Sequence, residues 1–305
     1  MSRSVQERAS RFNDRVVVVG TGRLGRTILR SLPRAISGVV TTQVEGSLAV
    51  KGFSSPIRYS RIQDVPLEAF DIVWIAVPDD KIQGLAEQAA QDREDWSGKL
   101  VVHSSGATSI TALNPVASLG AEPAVAHPNL ILAGDAPFPQ NSVWGITSSS
   151  ETYTRIKHLF REFEPVLIRI DDKKRSLYHA GATMAANYPM TLFSLGVELY
   201  KRAGVPDDLA IRVVQEFMAK SVETVAERGI REGLTGPVQR GDQKTLNEHL
   251  EAFKTEFPEE HKFFVELIEA TRRAMKEGRG RAGEERTRGQ GDKGTRGQGD
   301  KETRR

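Results

Sequence analysis

The sequence predicts an α/β protein in which a doubly wound Rossmann sheet is followed by an all-helical second domain. Near the start, an apolar run passes into a glycine-rich turn and then into a helical pattern. Strand-like and helix-like segments alternate as far as residue 171, and nearly all of the chain from residue 172 onward has helical periodicity. Strands that alternate with helices build parallel βαβ units through right-handed crossovers, which gives a doubly wound sheet.

The glycine-rich turn lies in VVVVGTGRLGRTIL, residues 16–29. The four valines are typical of a strand buried in a parallel sheet, and a helical pattern follows directly. In this context Gly20 permits the tight turn, Gly22 lets the backbone approach a pyrophosphate, and Gly25 lets the helix pack closely on the strand. The N–H groups of the helix N-terminus then bind the phosphates, although a turn without a ligand is the alternative. The predicted cofactor-binding residues here are Gly20, Thr21, Gly22, Arg23, Leu24 and Gly25.

The residues after the second strand bear on the choice between NADP and NAD. An NAD site usually places Asp or Glu about 20 residues into the motif, where the carboxylate holds the ribose 2′-hydroxyl. This chain has Thr41, Thr42 and Gln43 there. Hydroxyl and amide groups can donate to a 2′-phosphate that a carboxylate would repel. Thr41 and Thr42 are therefore predicted to bind NADP, whereas Glu45 would favour NAD if the strand ended slightly later.

Glycine, proline and composition divide the chain into four parts. These are a polar lead (1–14), the Rossmann domain (15–171), a helical substrate and dimerisation domain (172–277) and a repetitive tail (278–305). The helical domain opens with one long apolar pattern that Pro189 interrupts and Gly204 ends, and a second helix runs from Pro206 to Gly229. A helix of about 30 residues would extend about 45 Å. It would be too long for so small a domain to cover, which favours a homodimer.

The tail contains the tandem repeats TRGQGDKG and TRGQGDKE and no large apolar residue. Such a segment cannot bury enough surface to offset the entropy of ordering, so residues 278–305 are predicted to be disordered. A weak tether to an anionic surface is the alternative. The pI of about 9.1 arises here, because residues 276–305 hold ten Lys/Arg against six Asp/Glu and the rest holds 33 against 34. The remainder has no basic excess, which argues against a nucleic-acid partner.

Composition also excludes several chemistries. The chain has no cysteine, which rules out disulfides, thiolate nucleophiles and thiolate metal ligands. The start, MSRSVQERASRFNDR, lacks the apolar segment of a secretory signal, and no stretch approaches the roughly 20 apolar residues of a membrane span. The histidines and carboxylates do not have the spacing of a metal site. We therefore expect a cytoplasmic protein with neither a metal nor a membrane partner.

Five further segments carry a resemblance: VWIAVPDDKI, VVHSSGATSITAL, AHPNLIL, LYHAGATMAANY and LTGPVQRGD. With the glycine motif, they resemble a family of Rossmann-like proteins that has a C-terminal helical domain of unknown function. That family is similar to pyrroline-5-carboxylate reductases, deazaflavin-dependent NADP oxidoreductases and the 6-phosphogluconate dehydrogenase superfamily. The resemblance covers roughly residues 14 to 275. It implies a dinucleotide-binding domain, a helical dimerisation domain and a cleft for nicotinamide and substrate. Thr41 and Thr42 depart from the Arg-Ser pair that the family often has.

Polar residues follow the buried strands at the edge where open α/β sheets bind ligands. In VPDD, the backbone is predicted to contact the cofactor, while Asp79 and Asp80 cap the next helix. The HSSG and AHP segments offer hydroxyl and imidazole groups at the same edge, although each histidine suits a core role equally well. The predicted contacts are Val77, Pro78 and Ser104 for the cofactor, and Ser105 and His127 for the substrate.

The segment YHAGATMAAN places His179, Thr183 and Asn187 on one helix face at spacings of four residues. A histidine titrates near neutrality and can pass a proton while a hydride moves, and an asparagine can hold a carbonyl or imine. His179 and Asn187 are therefore predicted to be catalytic and Thr183 to bind substrate, the alternative being a polar stripe at a helical dimer interface. In LTGPVQRGD, Arg240 is predicted to bind a substrate carboxylate, or else to pair with Asp242.

These residues favour one function over two others. The favoured reading is an NADP-dependent oxidoreductase that transfers a hydride to or from a small carboxylated carbonyl or imine. It would act as a homodimer joined through the helical domain. A non-catalytic NADP-binding sensor or scaffold is the alternative from another class, and an imine or pyrroline-carboxylate reductase proper is the third.

Overall fold

The computed structural model describes residues 14–42, 56–91, 93–132 and 136–290, with side chains of the last helix described as far as residue 276. It forms two compact units, the first ending at Pro189 and the second beginning at Met190. Gln43 and Glu45, which bear on the cofactor choice, lie outside the described residues, as do residues 1–13 of the predicted lead.

The first unit is built on one sheet, which has eight strands in the described part of the chain. They are β1 (Val16–Val19), β2 (Ile36–Val40), β3 (Ile57–Tyr59), β4 (Ile72–Ile75), β5 (Leu100–His103), β6 (Glu122–Pro128), β7 (Val143–Thr147) and β8 (Val166–Arg169). Their order across the sheet is β3-β2-β1-β4-β5-β6-β7-β8. All neighbours are parallel except β6 and β7. The predicted doubly wound Rossmann sheet is confirmed.

Helices connect and follow these strands. In the first unit they are α1 (Arg23–Ser31), α2 (Asp79–Gln91), α3 (Asn114–Ala117), α4 (Ser150–Leu159) and α5 (Arg175–Ala186). Short 3-10 turns occupy Ile62–Asp64, Leu67–Ala69, Ile110–Leu113 and Asp172–Lys174. From the junction of the units onward come α6 (Tyr188–Arg202), α7 (Asp207–Gly233), α8 (Pro237–Arg240), α9 (Gln243–Glu256) and α10 (His261–Gln290). The predicted helical second half is thus confirmed.

The apolar strands build a core on each face of the sheet, because successive side chains of a strand point to opposite faces. Val16 and Val18 pack with residues of α1 and α4, and Val17 and Val19 pack with residues of α2. One face holds an aromatic cluster of Trp74, Trp144, Phe160, Phe138 and Phe163, in which neighbouring ring centroids lie 4.7–6.2 Å apart. The opposite face holds Trp96, 6.0 Å from Phe70. All three tryptophans of the chain are buried.

The long helix predicted from the sequence is two helices, and that part of the prediction was wrong. The break falls at Asn187, between α5 and α6, which have 12 and 15 residues. Pro189 is the second residue of α6, where its missing N–H has no intrahelical partner to lose. In a continuous helix the same proline would remove a hydrogen bond and clash with the preceding turn. The proline therefore starts a new helix.

Element ends differ from the predicted boundaries in two further places. The predicted end of the helix at Gly229 is a local break, because Gly229 has φ 76° and ψ 167° while helical structure resumes as far as Gly233. The last helix extends to Gln290, beyond the predicted domain end at residue 277, and residues 291–305 lie outside the described residues.

The compact units divide after Pro189, so α5 groups with the sheet, although composition alone changes at residue 172.

The crossover from β1 to α1 brings the strand and the helix into direct contact. Gly20 has φ +101°, a conformation that favours glycine, and a Cβ there would lie 2.5 Å from the carbonyl oxygen of Ala76. A Cβ on Gly25 would lie 2.0 Å from the carbonyl oxygen of Gly20. Both distances are far inside van der Waals contact, so the crossover requires glycine at both positions.

Gly25→Ala is expected to lower the free energy of unfolding by about 1–3 kcal/mol, the usual cost of forcing a methyl group into a filled site. Chemical denaturation followed by circular dichroism measures this change. Gly84→Ala is the matched control, because Gly84 lies inside α2 and a Cβ there meets nothing within 4 Å. The control should gain about 0.5–1 kcal/mol from helix propensity. Equal effects of the two substitutions would contradict the close contact at Gly25.

Candidate active site

The glycine loop after β1 leaves room for a ligand at the start of α1. Gly22 is the N-cap residue of this helix, with no side-chain hydrogen bond at the cap and no acidic residue in the first turn. A Cβ placed on Gly22 would meet nothing within 4 Å, in contrast to Gly20 and Gly25. The first backbone N–H groups of a helix need partners, and they carry the positive end of its dipole. The loop therefore fits a pyrophosphate, as its sequence predicts.

The end of β2 lies against this loop. The hydroxyl oxygens of Thr21 and Thr41 are 2.9 Å apart, and the Thr41 N–H donates to the carbonyl of Tyr59 on β3. Thr42 and Arg23 are both exposed, whereas Leu24 packs on the core. The structure thus brings Thr41 next to the predicted phosphate-binding loop.

The ends of β4 and β5 hold the next predicted contacts, which are largely engaged within the protein. Val77 lies beside Gly20, since a Cβ on Gly20 would be 3.0 Å from Val77 Cγ1. The hydroxyl of Ser104 accepts a hydrogen bond of 2.8 Å from the buried indole N–H of Trp74. The hydroxyl of Ser105 accepts bonds from the backbone N–H groups of the next turn, including that of Thr108 at 2.8 Å. Both serine hydroxyls therefore have structural partners, while Pro78 is exposed.

His103, the last residue of β5, has the environment of a core histidine. It is fully buried, and its Nδ1 accepts a hydrogen bond from the Ser105 N–H. Its Nε2 donates to the carbonyl of Ser109 at 3.4 Å. Burial lowers the pKa of His103 to about 4, so the ring is neutral at physiological pH.

A cavity of about 290 Å³ lies between the end of β6 and the face of α5. It brings together four residues that the sequence singled out: His127, His179, Thr183 and Asn187. The other lining residues are Pro128, Asn129, Leu130, Ile131, Ala182, Ala185 and Ala186. Small residues on α5 open the space, as their pattern predicts, and Thr183 Oγ1 donates to the backbone carbonyl of His179. Arg240 is an exposed residue of the second unit.

His127 is part of a hydrogen-bonded chain of three side chains. Its Nδ1 lies 2.8 Å from the phenol oxygen of Tyr178, and the Tyr178 O–H donates to Asn129 Oδ1 at 3.0 Å. Burial and repulsion from His179 and Arg175 lower the pKa of His127 to about 4. Burial likewise raises the pKa of the Tyr178 phenol. Both groups are neutral at physiological pH.

Two glycines allow α5 to approach the sheet so closely. A Cβ on Gly106, after β5, would lie 2.4 Å from His179 Cδ2 and 2.8 Å from His127 Nε2. A Cβ on Gly145, in β7, would lie 2.4 Å from the Tyr178 phenol oxygen. The rings of His127 and His179 meet edge to face with their centroids 6.1 Å apart. The two histidine rings therefore pack against the bare backbone of Gly106.

Arg175 at the start of α5 holds this helix against the strand ends. Its guanidinium is buried and donates to Asp172 Oδ1 at 3.1 Å, to the carbonyls of Ser105 and Gly106, and to the hydroxyl of Thr147. Asp172 also accepts from the Ser109 hydroxyl and the Ile110 N–H. Burial pushes the pKa of Asp172 up, but these hydrogen bonds and the Arg175 charge outweigh it and lower the pKa.

Sequence reasoning missed Arg175, Tyr178, Asn129, Gly106 and Gly145. A signal existed on α5, because Tyr178 and His179 follow Arg175 by three and four residues, the spacings that place side chains on one helix face. Asn129 belongs to the quoted AHPNLIL segment, where only the histidine received a role. The two glycines carried no signal, since their need appears only when helix and strands are in contact.

The fold and the site define a protein whose Rossmann-like domain is followed by a helical region. Residues 3–128 match the Rossmann-like domain, and residues 142–271 match a domain of unknown function (DUF2520). The chain therefore combines a Rossmann-like domain with a DUF2520 domain that follows it, which confirms the resemblance drawn from the motifs. No match was found among curated proteins.

Several solved structures share this fold. Protein TM1727 of Thermotoga maritima has 21% identity and a TM-score of 0.67, over 87% of this chain and 99% of that one. The reductive aminase of Aspergillus terreus, solved with NADPH and ethyl levulinate, has 16% identity and a TM-score of 0.61, over 88% and 95%. The pyrroline carboxylate reductase of Plasmodium falciparum, solved with NADP bound, has 14% identity and a TM-score of 0.53, over 85% and 98%. At these identities the likeness shows the fold alone.

None of the helices in the described part of the chain combines the length and the apolar character needed to cross a bilayer.

Proposed function

We propose that this protein is an NADP-dependent oxidoreductase that transfers a hydride to or from a small carbonyl or imine bearing a carboxylate. The observation that carries the proposal is the cavity between β6 and α5, where His127 and His179 converge. The glycine loop after β1, which has no side-chain cap, supports the assignment of a dinucleotide cofactor. The end of β6 lies at the same edge of the sheet as this loop. NADP or NADPH bound to reductases of the same fold supports the choice of cofactor.

The cofactor is assigned to the residues predicted for it. The loop Gly20–Gly25 would hold the pyrophosphate, and Arg23, Thr41 and Thr42 would hold the ribose 2′-phosphate through charge and hydroxyl groups. The backbone of Val77 and Pro78 would lie along the cofactor. Ser104 is assigned to it through its backbone, because its hydroxyl is bonded to Trp74. When bound, the nicotinamide supplies or accepts the hydride.

The chain's own residues handle the proton and the orientation of the substrate. In the reductive direction the π electrons move onto the substrate oxygen or nitrogen, and that atom takes a proton from a ring nitrogen of His179. Asn187 donates an amide N–H to the same atom and holds it in place. Thr183 and His127 are assigned to the rest of the substrate, whereas the Ser105 hydroxyl, predicted for the same role, is bonded to the next turn. The sequence predicts that the guanidinium of Arg240 binds the carboxylate of the substrate through two hydrogen bonds.

One observation favours the alternative of a sensor or scaffold that binds NADP without turnover. The hydroxyls of Ser104 and Ser105 are engaged within the protein. An enzyme would therefore depend on α5 and β6 for its polar contacts to substrate. A measurement of turnover separates the two functions.

We also propose a homodimer built from the helical second half. Not one of the residues of α6 is buried within a single chain, although the helix is largely apolar. Large apolar side chains are also exposed along α7, among them Leu209, Ile211, Phe217 and Val222. Exposed apolar surface of this kind is typical of a protein interface. A second copy of the chain would cover it.

NADPH is expected to raise the thermal unfolding temperature more than NADH does, because the described end of β2 offers hydroxyls to the 2′-phosphate. Gly22→Asp should abolish both shifts, since it places a carboxylate where the pyrophosphate binds. The folded protein has room for that side chain, because a Cβ on Gly22 meets nothing. Gly84→Asp, at an exposed position of α2, is the matched control and should keep the NADPH shift. An equal or larger shift with NADH would overturn the assignment of NADP.

His179→Ala is expected to reduce turnover by about 10²–10⁴-fold, the usual contribution of a positioned acid–base group. The assay follows NADPH oxidation across a panel of small keto acids and cyclic imines. Binding of NADPH should hardly change in this variant. His249→Ala, at an exposed position of α9, is the control and should keep full turnover. Full activity in His179→Ala would refute its catalytic role, and the absence of turnover in the unmodified protein on every substrate would favour the sensor.

Light scattering is expected to give twice the mass of the 33.7 kDa chain at micromolar concentration. A chain ending at residue 277 should give a dimer as well, because the proposed interface lies on α6 and α7. Phe217→Asp should shift the population toward monomers by placing a charge on the apolar surface, whereas Arg212→Asp, on the polar surface of the same helix, should not. A monomer in the unmodified protein would contradict the proposed dimer.

A further inference from the structure

The hydrogen-bonded chain at the cavity determines which nitrogen of His127 carries the proton. A phenol has a single proton, and Tyr178 gives it to Asn129 Oδ1. The Asn129 amide is oriented by its own nitrogen, which donates to the carbonyl of Val143 at 3.4 Å. The hydrogen between Tyr178 and His127 must therefore come from His127 Nδ1, 2.8 Å from the phenol oxygen.

The surroundings of His127 favour the neutral ring. Burial disfavours the charged ring most strongly, and His179 and Arg175, which lie on α5 with Tyr178, also oppose a second proton on the imidazole. Asp79, at the start of α2, acts weakly in the other direction. A neutral imidazole protonated at Nδ1 has its lone pair on Nε2.

The Nε2 atom of His127 lies beside the backbone of Gly106 and near the ring of His179. It lies close to the Cα of Gly106, since a Cβ there would be 2.8 Å away, and the same Cβ would touch the ring of His179. No hydrogen bond joins Nε2 to any residue that the structure describes. Its lone pair is therefore without a partner in the described part of the chain, and His127 is one of the residues that line the cavity.

We propose that Tyr178 is a positioning residue which, together with Asn129, fixes His127 as the Nδ1-protonated tautomer and so makes its Nε2 a hydrogen-bond acceptor for a ligand of the cavity. This inference rests on the proposed function and deepens it by assigning a different role to each of the two histidines. His127 accepts a hydrogen bond, and His179 gives the proton. A substrate or product that meets His127 does so through an O–H or N–H group, such as the hydroxyl or amine that the reduction forms.

The tautomer can be observed directly in the full-length protein without cofactor or substrate. Two-bond ¹H–¹⁵N correlation spectra of protein labelled at its six histidines distinguish a protonated ring nitrogen from one with a lone pair. The His127 signals are assigned by their loss in His127→Gln. In the unmodified protein at pH 7 we expect His127 to show a protonated Nδ1 and an unprotonated Nε2.

Two substitutions should change this signature in ways that a purely packing role would not. Tyr178→Phe removes the acceptor of the Nδ1 proton, so His127 should shift to the Nε2-protonated form or to a mixture. Asn129→Leu leaves the phenol without its acceptor, so Tyr178 can turn its proton toward Nδ1 and the Nε2-protonated form should dominate. Tyr153→Phe is the matched control, because this phenol donates to the Leu167 carbonyl in the same unit. It should leave His127 unchanged.

An Nε2-protonated or doubly protonated His127 in the unmodified protein at pH 7 would overturn the proposal. It would also be overturned if the Nδ1-protonated form persisted in the folded variants of Tyr178 and Asn129. Should Tyr178→Phe fail to fold, the unmodified protein and Asn129→Leu still decide the matter. Failure to bind NADPH or to turn over would refute the proposed function and leave this tautomer result standing.

Discussion

The position of the candidate site depends on one buried charge, the guanidinium of Arg175. It is the one fully buried residue of α5, so little apolar packing holds this helix in place. Burying a guanidinium costs several kcal/mol unless it is paired and hydrogen-bonded. Asp172, two backbone carbonyls and Thr147 supply the partners, and they come from the ends of β5 and β7 and the turn before α5. Because an ion pair has a defined geometry, it fixes where the next turn of the helix lies.

That next turn carries Tyr178 and His179. Both rings pack directly against the backbone of glycine residues of the sheet and its loops. Gly106, after β5, and Gly145, inside β7, leave room for the two rings at positions where any side chain would collide with them. His127 then completes the cluster from β6. The result is a pair of imidazoles with unlike surroundings, one bonded to a phenol and held neutral by burial, the other on the helix face at the cavity. Unlike environments for like groups are a common basis of acid–base roles.

Much of this arrangement could be predicted from local sequence pattern. The βαβ alternation, the glycine loop and the placement of His127, His179, Thr183 and Asn187 follow from periodicity, because strand ends meet at one edge and residues four apart share a helix face. Contacts between distant residues could not be predicted. The Trp74 bond that engages Ser104 spans 30 residues, and the Arg175 contacts span about 70. The strand β3 and the helix α4 were missed because they are short or weakly patterned. The break at Asn187 was missed because the apolar pattern resumes beyond Pro189.

Because all three tryptophans lie in the first unit, intrinsic fluorescence is a probe of that unit. Trp74, Trp96 and Trp144 all lie in the sheet cores of the first unit, and residues 190–305 contain none. Indole emission therefore reports on the surroundings of the sheet alone, while far-ultraviolet ellipticity is dominated by the helices of both halves. If the two units melt at different denaturant concentrations, the emission and ellipticity curves will separate, and the gap between their midpoints will measure how strongly the units are coupled in unfolding.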